Sequence, residues 1–106
     1  RTLSTATVAY AATITPGINT CTNVGQLTGA ITIASPGGSP NDFDVIKLRF
    51  FQDATGRAFT WNAIYRFGPA NPNTLFVTTP NSKMTGAFEY NSTDAKWDCM
   101  SVIETV

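Results

Sequence analysis

Seven carboxylates, Asp42, Asp44, Asp53, Glu89, Asp94, Asp98 and Glu104, are the residues best equipped for acid–base chemistry. A glycosidase sets two such groups across a cleft, one as proton donor and one as nucleophile or base. Here most fall in turns or on the polar side of alternating segments, where solvated charge is the ordinary role. Asp42 and Asp44, two apart beside a loop, have the oxygen chemistry of a calcium pair. They lack the third acid and the glycine spacing of a calcium loop, and protection of a strand edge is the favoured reading. Cys21 and Cys99 have no histidine anywhere in the chain to activate them, so a catalytic thiol is not expected. Two cysteines cannot complete a four-ligand zinc site. With no secretory pattern at the start of the sequence they are expected as unlinked thiols; a disulfide bracketing a sheet is the alternative. No metal, cofactor or catalytic residue is expected.

Aromatic side chains offer a second chemistry, stacking on sugar rings. Trp61, Tyr65, Tyr90, Trp97 and several phenylalanines would suit such a platform. Phe59, Trp61, Phe88 and Trp97, however, fall on the inward parity of their segments, and each would bury some 150–250 Å² in a core. Tyr10 and Phe76, which parity leaves uncommitted, are the candidates for a surface-binding role. Asn91-Ser92-Thr93 fits the N-glycosylation pattern and also an ordinary turn.

The elements that must position these residues repeat with period two. In Asp44–Phe51, Ile46, Leu48 and Phe50 share one face and Lys47 and Arg49 the other, which is the signature of a strand buried on one side. Ala6–Thr15 and Leu27–Ala34 alternate Ala, Val and Ile with Thr. Pro16-Gly17 and the run Ser35–Pro40 punctuate them. Gln52–Gly56 reads as a hairpin connection. Further strands are expected at Arg57–Asn62, Ile64–Phe67, Thr74–Thr79, Lys83–Tyr90 and Lys96–Ile103, the last with Trp97, Cys99 and Ile103 on one side. About eight short strands at this spacing predict a compact antiparallel β-sandwich, jelly-roll-like, with less than a tenth helix.

Composition limits the function classes. The chain has 106 residues, seven Lys+Arg, seven Asp+Glu and no histidine, so its formal net charge is zero. One domain, residues 1–106, fits that length. The absence of a basic excess argues against a nucleic-acid partner, and no apolar run is long enough for membrane insertion. The commonest general base is missing, and an enzyme is not expected. Threonine supplies about one residue in six, which suits pleated, half-buried surfaces. A start at Arg1 without methionine is read as processing or as excision from a longer chain.

Two stretches resemble a structural module of tailed-bacteriophage virions. Leu48–Phe67 is similar to its strand, acidic-glycine turn and Arg-x-hydrophobic-Thr-Trp strand. Phe88–Asp98 is similar to its closing Tyr-Asn turn and Lys-Trp-Asp strand. A weaker likeness at Ile31–Gly38 falls where that module has an apolar strand and a Pro/Gly loop. The resemblance spans residues 6–103 and implies a non-enzymatic β-sandwich displayed on virions, in capsid decoration, head fibres or tail fibres. Its partners would be other virion proteins and its own copies, as a homotrimer. The alternative is a glycan- or receptor-binding module at a tail-fibre tip, with a host surface glycan as partner.

Overall fold

The computed structural model describes residues 2–105, of which 44% is strand. The strands are β1 (Ser4–Val8), β2 (Thr13–Ile14), β3 (Thr20–Val24), β4 (Ile31–Ile33), β5 (Val45–Phe51), β6 (Phe59–Trp61), β7 (Tyr65–Arg66), β8 (Lys83–Asn91) and β9 (Lys96–Thr105). One 3-10 turn, Asn73–Leu75, is the only helical element among the described residues, and no helix there is long and apolar enough to cross a membrane.

The order in the larger sheet is β1-β3-β5-β8-β9-β7, and in the smaller sheet β2-β4-β6. From β1 to β6 the chain therefore alternates between the sheets, and each circuit adds one strand to both. β1, β3 and β5 run parallel to one another, as do β2, β4 and β6. Only β5–β8 and β8–β9 pair antiparallel, while β7 lies parallel to β9. This corrects the antiparallel, jelly-roll-like expectation. In–out alternation is common to both kinds of strand, and what separates them is the path between neighbours. The turn after β5 is the clearest case. Instead of folding a hairpin, it carries the chain across to the other sheet.

That corner is built by two side chains. Gln52 is fully buried: its Nε2 donates to the carbonyls of Arg57 (2.8 Å) and Val77 (2.9 Å), and its Oε1 accepts from the Arg57 amide (2.7 Å). Asp53 Oδ1 accepts from the amides of Thr55 and Gly56, and Oδ2 binds the Arg57 guanidinium at 2.9 Å. Gly56 takes φ +80°, and a β-carbon there would collide with the Thr78 carbonyl.

Both sheets contribute to one core. Ile46, Leu48, Phe50, Phe88 and Trp97 are buried, together with Ile31 and Ile33 from the smaller sheet, while Lys47 and Arg49 face solvent. Phe59 and Trp61 are half-buried and join it edge-on through Phe50, with centroids 5.0 and 6.4 Å away.

Three details depart from the alternation. β3 is a strand that its sequence, Thr-Cys-Thr-Asn-Val, hardly announces, because Val24 is its one large apolar residue. The expected strand at Thr74–Thr79 is replaced by the 3-10 turn and irregular chain. Ile103, expected beside Trp97 and Cys99, is 62% exposed. The pairing of β9 with β8 shifts by one residue between Ala87 and Phe88, and an extra residue reverses the face of everything beyond it.

Candidate functional site

Phe76 does not present a surface. It is buried within a ring of Phe50, Phe59, Trp61, Phe67 and Phe88, which corrects the expectation of an exposed aromatic. The turn at Asn73–Leu75 folds it back over Gly86, whose missing side chain makes the room. Tyr10 is half-buried, packs on the core edge and donates its hydroxyl to the Ala30 carbonyl at 2.7 Å. Tyr65 is buried and donates to the Ala34 carbonyl at 2.7 Å; burial raises its phenol above the ordinary range. The two surface candidates are thus not brought together.

The carboxylates are engaged locally. Asp44 is buried and accepts from Asn19 Nδ2 (3.1 Å) and the Asn41 amide (2.8 Å), while Asp42 accepts from the Ser92 amide. Asp98 and Asp94 both bind Arg66, at 2.5 and 2.9 Å. The Arg66 guanidinium lowers the Asp98 carboxyl, and Arg57 does the same for Asp53. Among the described residues no group of three or more potential metal ligands comes together.

The cysteines are free thiols, as the unlinked reading expects. Cys21 is half-exposed on the outer face of β3. Cys99 is buried under β9, where burial raises its thiol. The strands β5 and β8 lie between theirs in the sheet order.

The groove that stands out runs across the outer face of the larger sheet and encloses about 420 Å³. Strand register makes it. Thr5, Cys21 and Lys47 stand side by side on β1, β3 and β5, and Thr7, Asn23, Arg49 and Thr85 form the next row across to β8. Lys47 and Arg49 project from its centre. No carboxylate lines it. The other described cations each have a partner: Arg57 on Asp53, Arg66 on Asp94 and Asp98, Lys96 on the Ala63 carbonyl, and Lys83 over the Phe51 ring. The side chains of Lys47 and Arg49 make no hydrogen bond or ion pair among the described residues.

Sequence reasoning placed this cation pair on the wet face and missed its setting. The neighbours Thr5, Thr7 and Asn23 arrive only through parallel stacking of β1 and β3 on β5. An outward Lys-x-Arg with no acid two residues away was the available signal. A second, smaller groove at the far end of the same sheet is lined by Asp42, Glu89, Tyr90 and Asp98. The chain matches no protein-family model and no curated protein.

Proposed function

We propose that this chain is a non-enzymatic structural module of a tailed-phage virion, docking on capsid or tail proteins and on its own copies as a homotrimer. Two sheets over one core make a sandwich-like body suited to display, with loops at its ends. The observation that carries the docking role is the open edge of the first circuit. β1 ends the larger sheet and β2 the smaller, so neither has a described neighbour on its outer side. β1 reads Ser-Thr-Ala-Thr-Val, without charge, proline or bulge, the devices that usually protect an edge.

Its outward backbone groups can be named. Ser4 N–H donates toward β3, to the Asn19 carbonyl, and Val8 C=O accepts from Gly25 N–H. In a parallel ladder alternate residues turn both groups the same way, so Thr5 and Thr7 aim theirs at the open side. An added strand would bond there, and symmetric copies would multiply a weak contact.

Sedimentation at micromolar concentration is expected to give a trimer. Thr7→Pro, which removes one outward N–H and leaves the β3-side bonds, is expected to give monomers. Antibody labelling is expected to mark the capsid surface or the tail of particles from the phage that encodes the chain. A monomeric wild type together with unlabelled particles overturns the proposal.

A further inference from the structure

We infer that the groove across β1, β3, β5 and β8 binds an acidic saccharide, a sugar chain bearing carboxylate or sulfate groups, through Lys47 and Arg49. The inference goes beyond the structural role and does not depend on it. Its first ground is charge. Of the six described lysines and arginines, four are committed to partners and two are not, and those two stand together in the larger groove. Uncommitted cations on a neutral protein, in a concavity without carboxylates, give a local field that favours an anion.

Spacing is the second ground. Residues i and i+2 on a strand rise about 7 Å apart on one face. Lys47 and Arg49 are thus placed either to straddle one anionic group or to meet two along an oligomer. The Arg49 guanidinium also offers the planar fork that matches a carboxylate or sulfate in two-point contact.

The lining decides the rest of the ligand. Thr5, Thr7, Asn23 and Thr85 surround the cations with short hydroxyl and amide groups, which both donate and accept and so suit a polyhydroxylated ring. No aromatic side chain lines the groove, so unpaired bases would find no stacking platform. Two cations are also few for tracking a phosphate backbone. Glu89 stands on the same face beyond Lys47, cross-strand from Val45, and belongs to the acidic groove at that end. An acidic chain is therefore expected to leave the groove on the side away from Glu89.

The test uses the full chain and amide-resolved NMR titration. The probes are a heparin-derived oligosaccharide and a polygalacturonate oligosaccharide, beside a neutral malto-oligosaccharide, inorganic polyphosphate and single-stranded DNA. Both acidic sugars, or the one whose anion the site prefers, are expected to shift the amides of Thr7, Asn23, Lys47, Arg49 and Thr85. Added salt should weaken them, and the neutral sugar should leave the spectrum unchanged.

Lys47→Gln with Arg49→Gln is expected to weaken binding at least about tenfold, the loss of one charge-assisted hydrogen bond or more. Both side chains are exposed, so the variant's dispersed spectrum will confirm its fold. Lys96→Gln, on a cation beyond Glu89 at the opposite end of the sheet, is expected to bind like wild type. No binding of either acidic sugar, equal binding of the neutral one, or an undiminished double variant overturns the inference. Polyphosphate or DNA binding as tightly as the sugars would replace it with unselective anion binding. None of these results touches the trimer or the particle labelling, so the two proposals fail separately.

Discussion

Gly86 on β8 lies against the Phe76 ring so closely that a β-carbon at position 86 would collide with it. Phe76 in turn stacks on Phe88 at 6.1 Å and lies 4.6 Å from the Trp61 centroid. The loop after β7 is thereby locked to the middle of the larger sheet. Gly86→Ala is expected to lose about 1–3 kcal/mol through overpacking, measured by urea unfolding. Adding Phe76→Leu should restore part of that loss. Additive losses would mean that the two positions are independent.

Gln52 joins the β5–β6 corner to the chain at Val77 with no exposure to water. Gln52→Leu keeps its bulk and leaves two part-buried carbonyls and one amide without their side-chain partner. The expected cost is at least about 1–3 kcal/mol, and a change within about 0.5 kcal/mol would show that water replaces the side chain.

Stability should fall at both ends of the pH scale. Asp53 and Asp98 titrate lower in the folded chain than in the unfolded one, so on acidification the unfolded chain takes up protons first. Their contribution is complete above about pH 5 and is lost as the pH falls through their lowered values. Tyr65 is raised when folded, so the unfolded phenol ionises first and stability declines as the pH climbs past about 10. Thermal melts across pH, with Asp98→Asn flattening part of the acid limb and Tyr65→Phe part of the alkaline one, check both signs.

The cysteines should separate by accessibility. Iodoacetamide at pH 8 is expected to modify Cys21 in the native protein and Cys99 only after denaturation. Intact mass would read one addition and then two. Two native additions would mean that β9 opens readily.

Much of the β structure was legible because a half-buried strand must alternate. The sequence of β5 declares Ile46, Leu48 and Phe50 against Lys47 and Arg49, and the turns at Asp53–Gly56 and Asn91–Ala95 carry their own side-chain hydrogen bonds. Parallel stacking was not legible, since β1, β3 and β5 look the same whichever way their neighbours run. β3 escaped because threonine on both faces flattens the contrast. Ile103 was misplaced because one extra residue in β9 inverts parity without changing composition. The groove suffered most: its cations were visible, but its walls come from β3, 26 positions before them, from β1, 42 before, and from Thr85, 36 after Arg49.

The circuit path has a consequence for how the protein reaches its native state. Ser4 must find Thr20, Thr20 must find Ile46, and Val45 must find Glu89, each across a long intervening loop whose closure is entropically costly. Among the paired strands only β8 and β9 meet through a short turn, Asn91 to Lys96, and hairpins form in microseconds. That hairpin is expected to form first and offer its β8 edge to β5. β3 and β1 would then add in reverse order of synthesis. Folding should therefore be slow for a chain of this size, and it should wait for the C-terminal hairpin to be made.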